Sequence, residues 1–349
     1  MNRKLLRSVR EYKRESILTP LLVVMEVFME VLIPLLMANI IDIGIMESDM
    51  GYIVKTGALL VLLAMVALVF GAKAGNLGAV ASAGYAKNLR HDIFYKIQDF
   101  SFGNIDHFST SGLVTRLTTD ITNVQMAYMF TIRLLVRAPI MIVLSLIMTL
   151  TINVKVAVMM LITIPILGGT LIFIAKKAHP HFIKVFDEYD ILNNTVQENV
   201  NAARVVKAYV RADYENEKFG KISTIVYNLF TRAEKIVAWN NPVMMFTMYV
   251  VVLVMVYIGG EDIVFGRMQT GELTSVIVYA LQILMSLMMV SFVFVMIMIA
   301  EASSDRIKEV LDEVPEMEDG ADALTEVANG DIDFENVSFS YGGEGGNLS

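Results

Sequence analysis

The segment ILTPLLVVMEVFMEVLIPLLMANII, residues 17–41, is the first of six long apolar runs in this chain. A helix needs about 20 mostly apolar residues to cross the hydrocarbon core of a bilayer. Five further runs reach or approach this length, at residues 52–70, 138–152, 154–175, 242–258 and 273–300. A very apolar soluble core is the alternative, but six such runs leave little polar sequence for a water-facing surface. The pattern predicts an all-α membrane protein with six transmembrane helices.

The composition supports this prediction and excludes several kinds of site. Of the 349 residues, 55% are hydrophobic and 18% are charged, and the mean hydropathy is +0.58. There is no cysteine and there are only four histidines, which excludes disulfides and thiolate sites and leaves little for a metal cluster. From residue 301 onward the net charge is −12, whereas the preceding part carries +4. This split predicts two environments in one chain, and nothing indicates a nucleic-acid partner.

The flanking charges predict the orientation of the runs. Six basic residues precede the first run, and such positive flanks stay in the cytoplasm. The connections after the first and fifth runs are mainly acidic, so we expect them outside, and the second and fourth connections hold most of the Lys and Arg. We therefore expect a multi-pass protein of the plasma membrane with both termini cytoplasmic. Residues 1–15, with Leu5, Val9 and Tyr12 on one face, are expected to form an interfacial elbow helix.

Two of the connections are unusually long and stay compatible with helix. Residues 72–100 correspond to roughly 40 Å of helix at 1.5 Å per residue, which projects past the apolar run. A break follows at SFGNIDHFSTSG, residues 101–112, and helical sequence then resumes. The second connection repeats this plan, with the short segment AARVVKAYVRADYENEKF, residues 202–219, turning the chain back. The sequence thus predicts two helical hairpins that reach deep into the cytoplasm.

Four stretches of the chain resemble one protein family. SFGNIDHFSTSGLVTRLTTD (101–120) and RVVKAYVRAD (204–213) resemble the two intracellular loops of type I ATP-binding cassette (ABC) exporters, with bacterial multidrug-type half-transporters as the nearest likeness. SSDRIKEVLDEVPE (303–316) is similar to the end of their sixth helix, and GDIDFENVSFSY (330–341) to the first strands of their nucleotide-binding domain. The expected domains are the elbow, a transmembrane domain over 16–314, an acidic linker over 315–330 and the start of an ATP-binding domain over 331–349.

The resemblance implies ATP-driven export of hydrophobic or amphipathic compounds by two paired half-transporters, identical or different. The implied partners are the second half-transporter, the nucleotide-binding domains, membrane lipids and a hydrophobic small-molecule substrate. ATP and Mg²⁺ are the implied cofactors of the complete transporter, and Tyr341 matches the aromatic residue that stacks on adenine. Two coupling helices are implied at Gly103, Asn104, Ile105, Asp106 and His107, and at Val205, Val206, Lys207, Ala208 and Tyr209.

The phosphate-binding machinery is missing from these residues. The tail GGEGGNLS, residues 342–349, is rich in glycine but has no lysine, whereas a P-loop requires G-x-x-x-x-G-K-[ST]. These residues alone are therefore expected to hold no cofactor, no metal and no catalytic group for ATP hydrolysis, and truncation of a longer protein is the simplest interpretation. A lipid or peptide exporter remains an alternative, as does a non-transporting scaffold or regulatory subunit without its own ATPase.

Charged residues inside the apolar runs are the candidates for a substrate cavity. Glu26 and Glu30 lie four apart on one face of the first run, and a charge at mid-membrane costs roughly 2.5–3.5 kcal/mol. We expect them to face a wet cavity for cationic amphipathic substrates, a solvated vestibule, or a basic partner. Arg133 and Arg137 precede the third run and either snorkel to the interface or pair with these glutamates. Further cavity candidates, with ordinary packing as the alternative, are Tyr249, Tyr279 and Gln282.

Overall fold

A computed structural model describes residues 5–315 and 329–337, apart from the side chains of Asp106 and Asp187. The chain begins with a short 3-10 segment, Leu5–Tyr12, here called the elbow, whose Leu5 and Val9 are buried. Helix follows helix through the rest of residues 5–315: α1 Lys13–Asn39 with a π turn Ile40–Ile45, α2 Met50–Gln98, α3 Phe102–His107, α4 Thr110–Thr115 with a π turn Arg116–Asp120, α5 Ile121–Ile152, α6 Val154–Asn201, α7 Ala203–Ala208, α8 Ala212–Val237, α9 Asn240–Val264 and α10 Thr270–Asp312.

Six helical stretches of the described chain are long and apolar enough to cross a membrane. They contain the six apolar runs in order, so the predicted number of spans and the all-α membrane fold are confirmed. The stretches are Leu5–Ile45, Met50–Gln98, Thr110–Ile152, Val154–Asn201, Ala212–Val264 and Thr270–Asp312.

The helices extend far beyond the bilayer on one side. α2 has 49 residues and therefore runs for about 74 Å, more than twice the roughly 30 Å of a hydrocarbon core. Asp49 starts α2 by accepting a 3.0 Å hydrogen bond from the Tyr52 amide. Asn153 makes the tight turn between α5 and α6, because its side chain accepts hydrogen bonds from the amides of Lys155 and Val156. We call the side with these short connections the loop side and the opposite side the extension side.

Two groups of helices form the packed core. Along α1, α2, α5 and α10, a buried cluster near the loop side is continued by a second cluster in the extensions. The first contains Val23, Val27 and Tyr279, and the second contains Tyr85, Ile121 and Ile307, together with other apolar side chains. The remaining helices, α6 and α9, pack with α10 through a third cluster at the loop side.

The extension formed by α6 and α8 is packed differently from the others. These two helices contact each other along their length, and their outward faces carry many exposed apolar side chains. The exposed residues lie beyond the apolar runs in the sequence: Ile183, Phe186, Tyr189, Ile191, Val196, Tyr214, Phe219, Tyr227 and Phe230. We call this set of nine residues the hairpin face, and clustered exposed apolar side chains are typical of an interaction site.

The tail after α10 is described only in part. Residues 329–337 form no regular strand, and no backbone hydrogen bond pairs this stretch with other described residues as a strand requires. The predicted first strands of an ATP-binding domain are thus not shown here. Tyr341 and most of the predicted acidic linker lie outside the described residues.

Candidate functional site

An ion-pair triad connects α1 to α5 within the apolar part of the chain. Nη1 of Arg137 lies 2.6 Å from Oε1 of Glu26, and Nη2 lies 2.5 Å from Oε2 of Glu30. The four-residue spacing on α1 places both carboxylates on one face, so a single planar guanidinium reaches both. Of the two expectations for Arg137, the pair with the glutamates is the one that forms.

The triad is partly buried and carries a net negative charge. The side chains of Glu26, Glu30 and Arg137 are 16%, 34% and 22% exposed to solvent. Counted formally, one guanidinium against two carboxylates leaves a charge of −1 on these three residues. The second oxygen of Glu26 is buried and has no hydrogen-bond partner among the described residues. This oxygen favours an additional hydrogen-bond donor or cation, because an unpaired buried carboxylate oxygen is costly.

Two glycines of α2 lie beside these charged groups. A Cβ at Gly71 would lie 2.9 Å from Oε1 of Glu26, and a Cβ at Gly75 would lie 3.5 Å from Nη1 of Arg133. The glycine at 71 lets the Glu26 carboxylate lie directly against the α2 backbone, whereas a Cβ at Gly75 would only make an ordinary contact with Arg133. Within the described part of the chain, Arg133 makes no hydrogen bond or ion pair, so its guanidinium is available to an anion.

The three other cavity candidates occupy different environments. Tyr279 is fully buried between α1 and α10, where its hydroxyl donates a 2.8 Å hydrogen bond to the carbonyl of Val31. Gln282 accepts a 3.1 Å hydrogen bond from the hydroxyl of Ser145 on α5. Tyr249 on α9 keeps 61% of its exposure. Of the three, only Tyr249 thus keeps most of its side chain exposed.

The first predicted coupling segment is a separate short helix, α3, which covers Gly103 to His107. Ser101 caps it reciprocally, because the Ser101 side chain accepts from the Asn104 amide while the Asn104 side chain accepts from the Ser101 amide. Phe102 is 88% exposed at its start, whereas Asn104 is only 1% exposed. The helix thus presents one face outward and holds one polar side chain inward.

The second predicted coupling segment is α7, which has no buried side chain. It ends in a Schellman motif, in which the Arg211 amide donates to the Val206 carbonyl and the Val210 amide to the Lys207 carbonyl. Val210 adopts φ of 53° to make this turn, a left-handed conformation that a β-branched residue rarely takes. Tyr209 and Val210 are exposed at the tip between α6 and α8, so the segment presents apolar surface.

A row of polar contacts between α10 and the α4–α5 extension was not predicted from the sequence. Arg306 pairs with the fully buried Asp120, and Arg116 pairs with Glu309 and donates to the Arg306 carbonyl at 3.1 Å. Asn123 donates to Ser303 at 3.1 Å. The only signal in the sequence is spacing, since three or four residues separate successive members on each helix.

Comparison with known proteins agrees with this architecture. Residues 16–288 match the protein-family model described as ABC transporter transmembrane region. Along 97% of its length the chain is 33% identical to an "Uncharacterized ABC transporter ATP-binding protein YfiB" of Bacillus subtilis, and it spans 59% of that protein.

Two more distant relatives carry functional names. The chain is 24% identical over 74% of its length to an "ATP-dependent lipid A-core flippase" of Desulfotalea psychrophila, and 26% identical over 72% to a "Fatty acid ABC transporter ATP-binding/permease protein" of Mycobacterium bovis. It spans 45% and 40% of those two proteins. The family match covers most of the chain and coincides with the six spans and their long extensions. The chain therefore belongs to the ABC transporter transmembrane-region family, as a multi-pass membrane domain of the exporter type.

Proposed function

We propose that the chain is the membrane part of an ATP-driven exporter of hydrophobic or amphipathic compounds that works as a dimer. The observation that carries this proposal is the hairpin face, a set of exposed apolar side chains beyond the apolar runs, together with two exposed coupling segments at the same end of the long helices. A second copy, or a different half-transporter of the same family, supplies the apolar surface that this face requires. The exposed sides of α3 and α7 supply the contacts to the ATPase domains.

The proposal includes the orientation and the cofactors. The extension side faces the cytoplasm, because the basic flanks belong there and ATP is supplied there. ATP and Mg²⁺ bind in the complete transporter, with Tyr341 stacking on adenine. In this scheme closure of two ATPase domains moves the coupling segments, and the long helices α2, α5, α6 and α8 carry that motion into the membrane.

The triad supports a cationic amphipathic substrate. Glu26 and Glu30 form the anionic side of the cavity, with Arg137 as an internal counter-ion to both. In this proposal a cationic substrate binds beside these carboxylates, and Tyr249, an exposed aromatic side chain on α9, is its cation–π partner. The apolar surroundings take up the rest of an amphipathic molecule.

Two measurements test the function of the complete gene product. ATP hydrolysis in lipid nanodiscs, with the protein alone and with the product of a neighbouring transporter gene, tests the motor and the pairing, and no hydrolysis in either case contradicts the proposal. Cationic-dye efflux by Glu26→Gln/Glu30→Gln tests the cavity, with the exposed acid Glu47→Gln as the matched control. Unchanged dye efflux in the double variant removes the substrate assignment.

Arg133 favours a second candidate, export of an anionic lipid. Its guanidinium lies against Gly75 without a partner in the described chain, which suits a phosphate or carboxylate head group. The named lipid A-core flippase and fatty acid transporter among the relatives are consistent with that chemistry. Stimulation of ATP hydrolysis by an anionic phospholipid, lost in Arg133→Gln but not in Glu47→Gln, distinguishes this candidate from the cationic one.

A further inference from the structure

The side chain of Asn104 connects α3 to the chain segment that leaves α10. Its Nδ2 donates hydrogen bonds to Oε1 of Glu313 at 2.9 Å and to the Val314 carbonyl at 3.1 Å. Asn104 is buried although its neighbour Phe102 is almost fully exposed. We call these three residues, Asn104, Glu313 and Val314, the α3–α10 joint. They join two segments that lie more than 200 residues apart in the sequence.

The capping of α3 fixes the direction in which the Asn104 amide points. Its Oδ1 accepts from the Ser101 amide at 3.2 Å and from the Ser101 hydroxyl at 2.8 Å. The amide oxygen therefore faces the start of α3, and the NH₂ group faces Glu313 and Val314. An asparagine is required for both functions at once, since an aspartate accepts equally well but donates nothing.

The joint lies where α10 ends. The helix stops at Asp312, and Glu313 is extended, with φ of −59° and ψ of 134°. The Val314 carbonyl has left the helical ladder, so Asn104 binds the first stretch of the outgoing chain. Above the joint, the polar contacts of Arg116, Asp120 and Asn123 hold the α10 extension against α4 and α5.

We propose that the α3–α10 joint makes the first coupling segment and the outgoing end of α10 move as one body. This inference rests on the proposed function, because it assigns a path for the motion of the ATPase domains. A displacement of the chain after α10 then acts on α3 and on α10 together, within one subunit. Asn104 is thus a positioning residue for coupling, in addition to any contact that the exposed side of α3 makes with an ATPase domain.

The contact chemistry supplies a variant and its rescue. In Asn104→Asp the carboxylate still caps α3 but meets the Glu313 carboxylate and the Val314 carbonyl, so the joint opens. We expect the ratio of molecules with the joint closed to molecules with it open to fall at least about ten-fold, because a hydrogen bond to a charged group is lost. Adding Glu313→Gln provides an NH₂ donor to the introduced carboxylate. This restores one hydrogen bond of the joint, with the residue at 313 now donating and the residue at 104 accepting. Asn216→Asp, an exposed position on α8, is the matched control.

The experiment measures the joint directly in the complete gene product in nanodiscs. These 349 residues contain no cysteine, so Phe102→Cys and Val314→Cys receive spin labels selectively once any cysteine elsewhere in the product is replaced. Dipolar electron paramagnetic resonance then gives the distance between α3 and the outgoing chain, without nucleotide and after trapping with ATP and vanadate. In the parent protein we expect one narrow distribution of this distance, and the same distribution in both states. We expect Asn104→Asp to broaden the distance distribution and the double variant to narrow it again.

Other results overturn the inference. A distance that changes between the two states shows that the segments move separately. An unchanged distribution in Asn104→Asp, or broadening that Glu313→Gln does not reverse, shows that Asn104 does not hold the joint. ATP hydrolysis by the parent protein is measured in parallel. Absence of hydrolysis contradicts the proposed function, whereas normal hydrolysis with an altered distance distribution contradicts only the joint.

Discussion

The carboxylate of Asp42, at the loop-side end of α1, accepts a 2.6 Å hydrogen bond from the backbone amide of Gly271 at the start of α10. Its other oxygen accepts from the Glu272 amide at 3.0 Å. The first amides of a helix have no intrahelical partner, and the helix dipole favours an anion there. A side chain of one membrane helix therefore caps another, and the loop-side ends of α1 and α10 are held together in this structure.

Replacing Gly271 by alanine is expected to force these two helix ends apart. A Cβ there would lie 2.5 Å from the Ala38 carbonyl and 2.6 Å from a carboxylate oxygen of Asp42. Because the Ala38 carbonyl belongs to the α1 backbone, the clash is relieved only by moving a helix. We expect Gly271→Ala to lower the free energy of unfolding by about 1–3 kcal/mol, the usual cost of overpacking. Thermal unfolding in detergent micelles measures the change.

The matched control for this substitution is Gly260→Ala in α9. Nothing lies within 4 Å of a Cβ at Gly260, so alanine adds helix propensity without a clash. We expect this variant to be as stable as the parent or more stable. Equal unfolding temperatures for both alanine variants would contradict the close approach of α1 and α10.

Removing the central cation of the triad is expected to destabilise the protein more than removing its neighbour on α5. Arg137→Gln leaves two carboxylates without their counter-ion, and we expect a cost of about 1–3 kcal/mol because the groups keep partial exposure. Arg133→Gln removes a guanidinium that has no partner in the described chain. Thermal unfolding of purified variants compares the two, and similar values would count against the triad as a structural unit.

A double substitution separates the pairing from general effects at this position. Adding Glu26→Gln to Arg137→Gln removes one of the unpaired carboxylates, so we expect the double variant to be more stable than Arg137→Gln alone. The coupling energy from this double-mutant cycle measures the Glu26–Arg137 interaction. Additive costs of the two substitutions would show that the pair contributes nothing measurable.

The sequence predicted the large features because they depend on local properties. Apolar runs of membrane length determine the six spans, and a lone Asn153 between two runs marks a turn with a capping side chain. The two coupling segments were predicted from family motifs, and short helices cover the first completely and the second up to Ala208, although their coupling role remains a prediction. These features depend on neighbours in the chain, so no knowledge of helix packing was required.

The contacts between helices could not be predicted in the same way. The spacing of Glu26 and Glu30 indicated a common face, but the choice between snorkelling and pairing for Arg137 depends on how α1 and α5 are rotated about their axes. The inward side chain of Asn104 has its partners more than 200 residues away. Tyr279 was predicted from residue type alone, which cannot distinguish a cavity wall from the buried contact with Val31.

The elbow is expected to lose its docking when Gly84 of α2 is replaced by alanine. The ring of Tyr12 would lie 2.3 Å from the added Cβ. Moving that ring disturbs the adjacent contacts to Asp92, where Ser8 donates at 2.7 Å and Arg10 at 2.6 Å. We expect faster trypsin cleavage in the basic elbow region of Gly84→Ala. Gly57→Ala on the same helix meets nothing within 4 Å and is the control; equal cleavage rates in the two variants would show that Tyr12 does not hold the elbow.

The tip of the second coupling segment is expected to become more ordered when Val210 is replaced by glycine. Val210 holds a left-handed conformation, which costs an L residue roughly 1–2 kcal/mol and costs glycine nothing. The greater conformational entropy of glycine in the open chain offsets only part of this gain. We therefore expect Val210→Gly to slow hydrogen exchange of the Arg211 amide, which donates to the Val206 carbonyl at 2.9 Å. Val205→Gly, inside α7, is the control and should speed the same exchange, because glycine weakens a helix interior by about 1 kcal/mol. Faster exchange in both variants would mean that the valine conformation stores no strain.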